Sequence, residues 1–136
     1  MNFEEMEYLP KMTKKILCDS SYLGCRFLIV SYGTHPCAYI EIPKDHKWFG
    51  IDYDDEELNH IECHGGITFS GDLSHILEKT GKWFIGWDYA HIEDYDGLLC
   101  NLNNYPFRDI RCKKWTTQEI YEEVKKVIES IKEDLQ

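Results

Sequence analysis

Apolar and polar positions change period along this chain, and each period predicts a different element. Between Met1 and Leu17 the apolar residues Phe3, Met6, Leu9, Met12 and Ile16 step by threes and fours, the spacing of a short amphipathic helix. Pro10 would start, break or kink such a helix, and an extended arm docked on a neighbour is the alternative. Cys25-Arg-Phe-Leu-Ile-Val-Ser-Tyr32 is almost continuously apolar and rich in β-formers, so it predicts a buried strand. Gly33-Thr-His-Pro36 supplies a turn. Cys37-Ala-Tyr-Ile-Glu-Ile42 then alternates and stops at Pro43, completing an antiparallel hairpin.

Lys44 to Leu58 has no clean period and predicts an ordered loop, a length that compact domains keep mainly for functional sites. His60-Ile-Glu-Cys-His64 alternates as a strand does, Gly65-Gly66 interrupts it, and Ile67-Thr-Phe69 resumes it. A double glycine there marks a bulge or a place where another group approaches the backbone. Asp72 to Thr80 reads as a turn or single helical turn, Lys82 to Asp88 as a further strand containing Gly86, and His91 to Asp109 as a second long loop. Thr116-Thr-Gln-Glu119 is a capping box. After it Ile120, Val124, Val127, Ile128, Ile131 and Leu135 recur at helical spacing. The pattern predicts an α+β fold, a mainly antiparallel sheet of four or five strands with a C-terminal amphipathic helix packed on one face. One domain spans 1–136: a helix or arm at 1–17, the sheet with two site loops at 18–112, and the helix at 116–135.

Composition narrows the partners. A chain of 136 residues suffices for one core. The formal charge of −10 argues against DNA or RNA, whose phosphates need clustered Lys and Arg. It leaves room for one small phosphorylated ligand held by backbone N–H groups. The six cysteines include no C-x-x-C pair, which removes a zinc ribbon. With no signal-peptide pattern and no apolar run of transmembrane length, the expectation is a cytoplasmic protein with reduced thiols and no membrane partner.

The candidate chemistry lies between Asp52 and Asp96. In His64-Gly65-Gly66 the histidine precedes two residues without Cβ, so its imidazole and the nearby amides are open to a phosphate or carboxylate; a β-bulge with a surface histidine is the plainer alternative. In Trp87-Asp-Tyr-Ala-His91, Asp88 and His91 meet if the chain bends, and a carboxylate on one imidazole nitrogen fixes the tautomer of the other. Asp52, Asp54, Asp55, Asp94 and Asp96 form two acidic clusters in the two loops. If the loops converge, these carboxylates with His64 and His91 form a set for Mn²⁺, Mg²⁺ or Zn²⁺; otherwise they are solvated acids. Trp48, Tyr53, Phe69, Trp83, Trp87 and Tyr89 are candidate stacking faces for a base. No G-x-S-x-G, Walker loop or G-x-G-x-x-G occurs. Cys63 adjoins His64, but adjacent strand residues point to opposite faces. Lys44, Lys47, Lys79 and Lys82, with Arg26, Arg108 and Arg111, are the cations that could meet a phosphate.

The order Pro43-x-x-His46, Gly50-x-Asp52-Tyr-Asp54, His64-Gly-Gly-x-Thr-Phe69-Ser-Gly71 and Trp83-Phe-x-Gly-Trp-Asp88-x-Ala-His91-x-x-Asp94 resembles a family of small uncharacterised proteins. They are encoded mainly by bacteriophages and prophages. The resemblance covers roughly residues 37–97 and brings no established catalytic role. Tyr89 departs from the glycine or cysteine expected there and alters the wall of the pocket. By analogy, the resemblance implies a phage anti-defence sponge acting in the infected bacterial host cell. Such sponges sequester nucleotide immune signals of the cyclic ADP-ribose or cyclic dinucleotide type.

Three functions fit these residues. The first is a binding protein that sequesters a nucleotide-derived ligand through Trp48, Asp52, Tyr53, Asp54, His64, Gly65, Gly66, Thr68, Phe69, Trp87, Asp88, His91 and Asp94, working as a homo-oligomer and without cofactor. The second is a hydrolase of a phosphate or glycosidic bond using His64, His91 and Asp88, with or without a divalent metal. The third is an acidic protein that binds a host protein. The incomplete catalytic constellation favours the first.

Overall fold

The sheet is built from two tight hairpins and one long excursion. It is described from a computed structural model for residues 2–78, 81–91, 93–97 and 112–136. Strand β1 (Lys15–Tyr22) turns through Leu23 and Gly24, both at positive φ, into β2 (Cys25–Ser31), and Tyr22 faces Cys25 across the turn. A two-residue loop with positive φ at both positions matches the twist of its strands. β2 pairs with β3 (Pro36–Glu41), and β3 with β5 (Phe84–Asp88). The short β4 (Phe69–Gly71) closes the far edge, giving the order β1-β2-β3-β5-β4 with every pairing antiparallel.

β2 reads as a continuous apolar run because both faces of the sheet are covered. Phe27 and Ile29 face one side and Leu28 and Val30 the other, all fully buried. Each such side chain contributes about 1.5–3 kcal/mol by leaving water. The first side carries helix α1 (Thr117–Ile131), which inserts Ile120, Val124, Val127, Ile128 and Ile131 against Phe27, Ile29, Ala38, Ile40, Ile85 and Trp87. The second side is closed by Leu73 with Phe69, Ile76 and Leu77, over Tyr39 and Phe84. The predicted α+β class, the central hairpin, the β5 strand and the helix are therefore present. Thr116 caps α1 with the reciprocal Glu119 contact of a capping box.

Three expectations change. Residues 2–14 form no helix; they run as an arm, with the Leu9 amide donating to the Gly33 carbonyl at 2.8 Å and the Thr13 amide to the Tyr32 carbonyl at 2.9 Å. The three-and-four spacing reflects single contacts, such as Phe3 and Met6 against the core, rather than a helical face. Second, β1 begins at Lys15, within the segment read as helix or arm. Third, His60–His64 is not a strand. The Ile61 amide closes a turn onto Leu58, and the Gly66 amide closes another onto Cys63 at 2.9 Å, so neither segment is available to a ladder. The loop before it contains a single 3-10 turn, Glu56–Leu58, capped by the Asp55 carboxylate. Among the described residues, no helix is long and apolar enough to cross a membrane.

Candidate functional site

The site lies where the chain leaves the end of β5. Tyr89 still belongs to the sheet, its amide donating to the Pro36 carbonyl at 3.1 Å. The chain then bends: the Ala90 amide donates to Asp88 Oδ1 at 3.1 Å, and the Asp94 amide to the His91 carbonyl at 2.9 Å. This turn points the Asp94 carboxylate back inward. Lys113 fixes it there, because the Lys113 amide donates to the Glu93 carbonyl and the Tyr95 amide to the Lys113 carbonyl, each at 2.9 Å. The bridge also delivers Trp115, two residues further on.

Asp94 is the hub. Its side chain is only 4% exposed. Oδ1 accepts from Trp115 Nε1 at 2.9 Å, and Oδ2 accepts from the His91 amide at 3.0 Å. Oδ2 also lies 2.8 Å from His64 Nε2 and 3.1 Å from His91 Nδ1, so each imidazole bonds through that nitrogen. Burial alone would push the carboxyl up. The hydrogen bonds from His64, the His91 amide and Trp115 outweigh it and hold Asp94 below its ordinary value.

The imidazoles are themselves held. The His64 ring stacks on Tyr89 at 4.7 Å with an angle of 9°, and it meets the edges of His91 at 5.0 Å and Trp115 at 4.9 Å. Tyr89 is anchored beneath it: its hydroxyl accepts from Trp87 Nε1 at 3.0 Å and donates to the Glu123 carboxylate of α1. Gly65 sits directly against the His91 ring, whereas the Cβ position of Gly66 is open. His91 Nε2 lies 3.8 Å from Asp88 Oδ1, and the Thr68 hydroxyl donates to Asp88 Oδ2 at 3.4 Å. Asp88 and His91 thus lie near each other, and His64, Gly65, Thr68, Asp88, His91 and Asp94 form one neighbourhood.

The other sequence candidates lie elsewhere. Trp48 and Trp87 are about 1% exposed and belong to the helix-side core, so neither ring offers a face to a ligand. Phe69 packs edge-on to Tyr39 at 5.2 Å on the opposite side of the sheet. Asp52, Tyr53 and Asp54 are exposed on a surface turn, closed by the Asp55 amide on the Asp52 carbonyl at 3.0 Å. Among the described residues, His64, His91 and Asp94 are the group of His, Cys, Asp or Glu close enough to hold a metal; the acidic run of the first loop does not join it. Asp96 is buried beside His35, 3.9 Å from Nδ1. Arg26 spends its guanidinium fork on Asp19, at 3.0 Å twice, and on Glu41. Lys47 pairs with Glu57 and Lys82 with Glu41. Lys79, Arg108 and Arg111 lie outside the described residues. Burial, and then the nearby Glu123 charge, push the Cys63 thiol up to about 12, so it is protonated at neutral pH and a poor nucleophile.

Sequence reasoning missed Trp115, which carries a hydrogen bond to the hub and a wall of the site. Its only signal was position: a tryptophan immediately before a helix cap is an unusual use of a large ring in an otherwise polar approach. Comparison of the chain with protein-family models, with curated proteins and with solved structures found no match.

Proposed function

We propose that this protein binds a small, anionic, nucleotide-derived molecule at the His64–Asp94–His91 centre and holds it intact, sequestering an immune signal in the bacterial cytoplasm. The observation that supports it is the pair of imidazoles docked on one buried, fully hydrogen-bonded carboxylate. The His64 imidazole, held on Asp94 through Nε2, is the ring of this centre whose Nδ1 would meet a phosphate or ribose oxygen. Both rings are partly exposed, 24% and 38%, and Gly66 keeps the adjoining backbone clear of side chain. Base stacking falls to the imidazoles: Trp48 and Trp87 are buried, Phe69 packs on Tyr39, and the Lys113 ammonium covers the Trp115 ring at 3.8 Å from its centroid.

A second reading has its own observation. A carboxylate bonded to one imidazole nitrogen orients the other as a general base, and both histidines have that arrangement with Asp94. The same residues would then activate water for hydrolysis of a phosphate or glycosidic bond. One experiment separates the readings. The protein is incubated with a panel of cyclic ADP-ribose-type and cyclic dinucleotide signals, washed, heat-denatured, and the released small molecules are weighed by mass spectrometry. Recovery of the unchanged ligand supports sequestration and a converted product supports the hydrolase. Retention and conversion of nothing overturns both.

A further inference from the structure

We propose that His64, His91 and Asp94 form a binding site for one divalent first-row transition metal ion, with Zn²⁺ the first candidate. One donor atom of each residue lies within 4.8 Å of the other two. The two contacts to Asp94 Oδ2, 2.8 Å from His64 Nε2 and 3.1 Å from His91 Nδ1, are close to those a metal imposes. Ligand atoms about 2.0–2.2 Å from Zn²⁺ sit roughly 3.0–3.5 Å from one another. An ion can therefore replace the two shared protons with small side-chain movements.

The replacement balances. The starting tautomer that fits the two contacts has each imidazole N–H donating to Asp94 Oδ2. On loading, the proton of His64 moves to Nδ1 and that of His91 to Nε2, and the lone pairs released turn to the ion. A carboxylate stands behind the new His91 Nε2–H: Asp88 Oδ1 is 3.8 Å away, an ion-pair separation that a small ring rotation would close, and Asp88 is steadied by the Ala90 amide and the Thr68 hydroxyl. A carboxylate behind a ligating histidine is the usual outer support of such sites. Trp115 Nε1 occupies Asp94 Oδ1 and so presents Oδ2 to the ion. Two imidazoles and one carboxylate suit Zn²⁺, Co²⁺, Ni²⁺ or Fe²⁺ over Mg²⁺ and Ca²⁺, which prefer oxygen shells. Three protein ligands leave open coordination positions on the ion. This deepens the ligand-binding reading of the same centre, on which one step rests: an open position on the ion is where a phosphate oxygen would bind.

The test is titration of chelator-treated, ligand-free full-length protein with Co²⁺, read by visible absorption, followed by displacement with Zn²⁺. One equivalent per chain is expected, with d–d bands of a nitrogen and oxygen shell and no thiolate charge-transfer band, and no response to Mg²⁺. His64→Gln and His91→Gln should each lower affinity at least 100-fold. Asp88→Asn should lower it 10–100-fold while the Co²⁺ bands keep the form of a nitrogen and oxygen shell; a purely structural Asp88 would leave affinity alone. The wild-type spectrum needs no variant to fold, so absence of any band overturns the site, as does unchanged affinity in both histidine variants. Retention of a nucleotide signal in EDTA without Co²⁺ uptake would overturn the metal while leaving sequestration standing. Co²⁺ uptake without nucleotide retention supports the metal and removes sequestration.

Discussion

A Cβ placed on Gly65 would lie 2.2 Å from both Cε1 and Nε2 of the His91 ring, so the glycine is what allows that ring to stand where it does. Gly65 also holds φ at +73°, where an L side chain is strained. Gly65→Ala therefore combines a backbone penalty with displacement of an imidazole tied to Asp94. We expect a loss of about 1–3 kcal/mol in urea unfolding together with loss of ligand or metal uptake. Gly66→Ala is the control: its Cβ meets nothing within 4 Å, so it carries only the strain of its φ of +79°, and the site should survive. Equal loss of uptake in both variants would show that the His91 contact does not matter.

How far the site was legible follows from what each residue had to reveal. His64, Gly65, Asp88, His91 and Asp94 stood out because short polar residues and glycines interrupt a strand pattern, and such interruptions are local. Trp48, Phe69 and Trp87 looked alike in sequence as aromatic faces. Only the sheet register shows that Trp87 points at α1 and Phe69 at Tyr39. Trp115 reaches Asp94 through a backbone bridge across about twenty intervening residues, which no local period encodes. The fold shows the same division. The β2–β3 hairpin and α1 announce themselves by run, turn and capping box. β1 is a polar-flanked edge strand whose alternation slips at a bulge between Ile16 and Cys18, and the paired turn residues Leu23-Gly24 were its better signal.

Trp115 and Asp94 should behave as a coupled pair. Trp115→Phe leaves Oδ1 of a buried carboxylate without its donor, at a cost of about 1–3 kcal/mol. Asp94→Asn removes the charge that both imidazoles bond to, about 1.5–3 kcal/mol. Because each change damages the same contact, the double variant should be less destabilised than the sum, with a coupling of roughly 0.5–3 kcal/mol in a thermodynamic cycle. Strict additivity would mean that the 2.9 Å contact contributes nothing.

Gly86 tests a different use of glycine. It lies mid-strand in β5, and a Cβ there would meet Tyr39 Cδ1 at 2.4 Å and the Ala38 carbonyl oxygen at 2.6 Å. The space it leaves is filled by the Tyr39 ring, which packs on Phe69, so this glycine serves the core and not a ligand. Gly86→Ala should destabilise by roughly 1–3 kcal/mol or more through overpacking against backbone that cannot move. The paired variant Gly86→Ala with Tyr39→Leu should recover part of the loss, measured by chemical denaturation. No recovery would assign the whole penalty to the Ala38 carbonyl.

The helix cap predicts how stability depends on acid. Glu119 is held below its ordinary value, first by the Lys113 ammonium at 2.8 Å and then by the Thr116 amide. A carboxylate whose folded pKa is depressed binds fewer protons than the unfolded chain in that range. Its contribution is therefore complete above the ordinary glutamate pKa near 4.5 and lost as pH falls through the lower folded value. The Glu119 side chain is 39% exposed, so screening keeps this part to a few tenths of a kcal/mol. Glu119→Gln should accordingly lower the melting temperature slightly at pH 6 and converge with wild type near pH 3. Thr116→Ala removes the acceptor for the Glu119 amide at 3.1 Å and should cost about 1 kcal/mol, roughly 3–5 °C in melting temperature. That loss persists at both pH values, because a hydroxyl does not titrate there. Convergence of Thr116→Ala with wild type at low pH would show that the cap acts through the Glu119 charge and not through the hydroxyl.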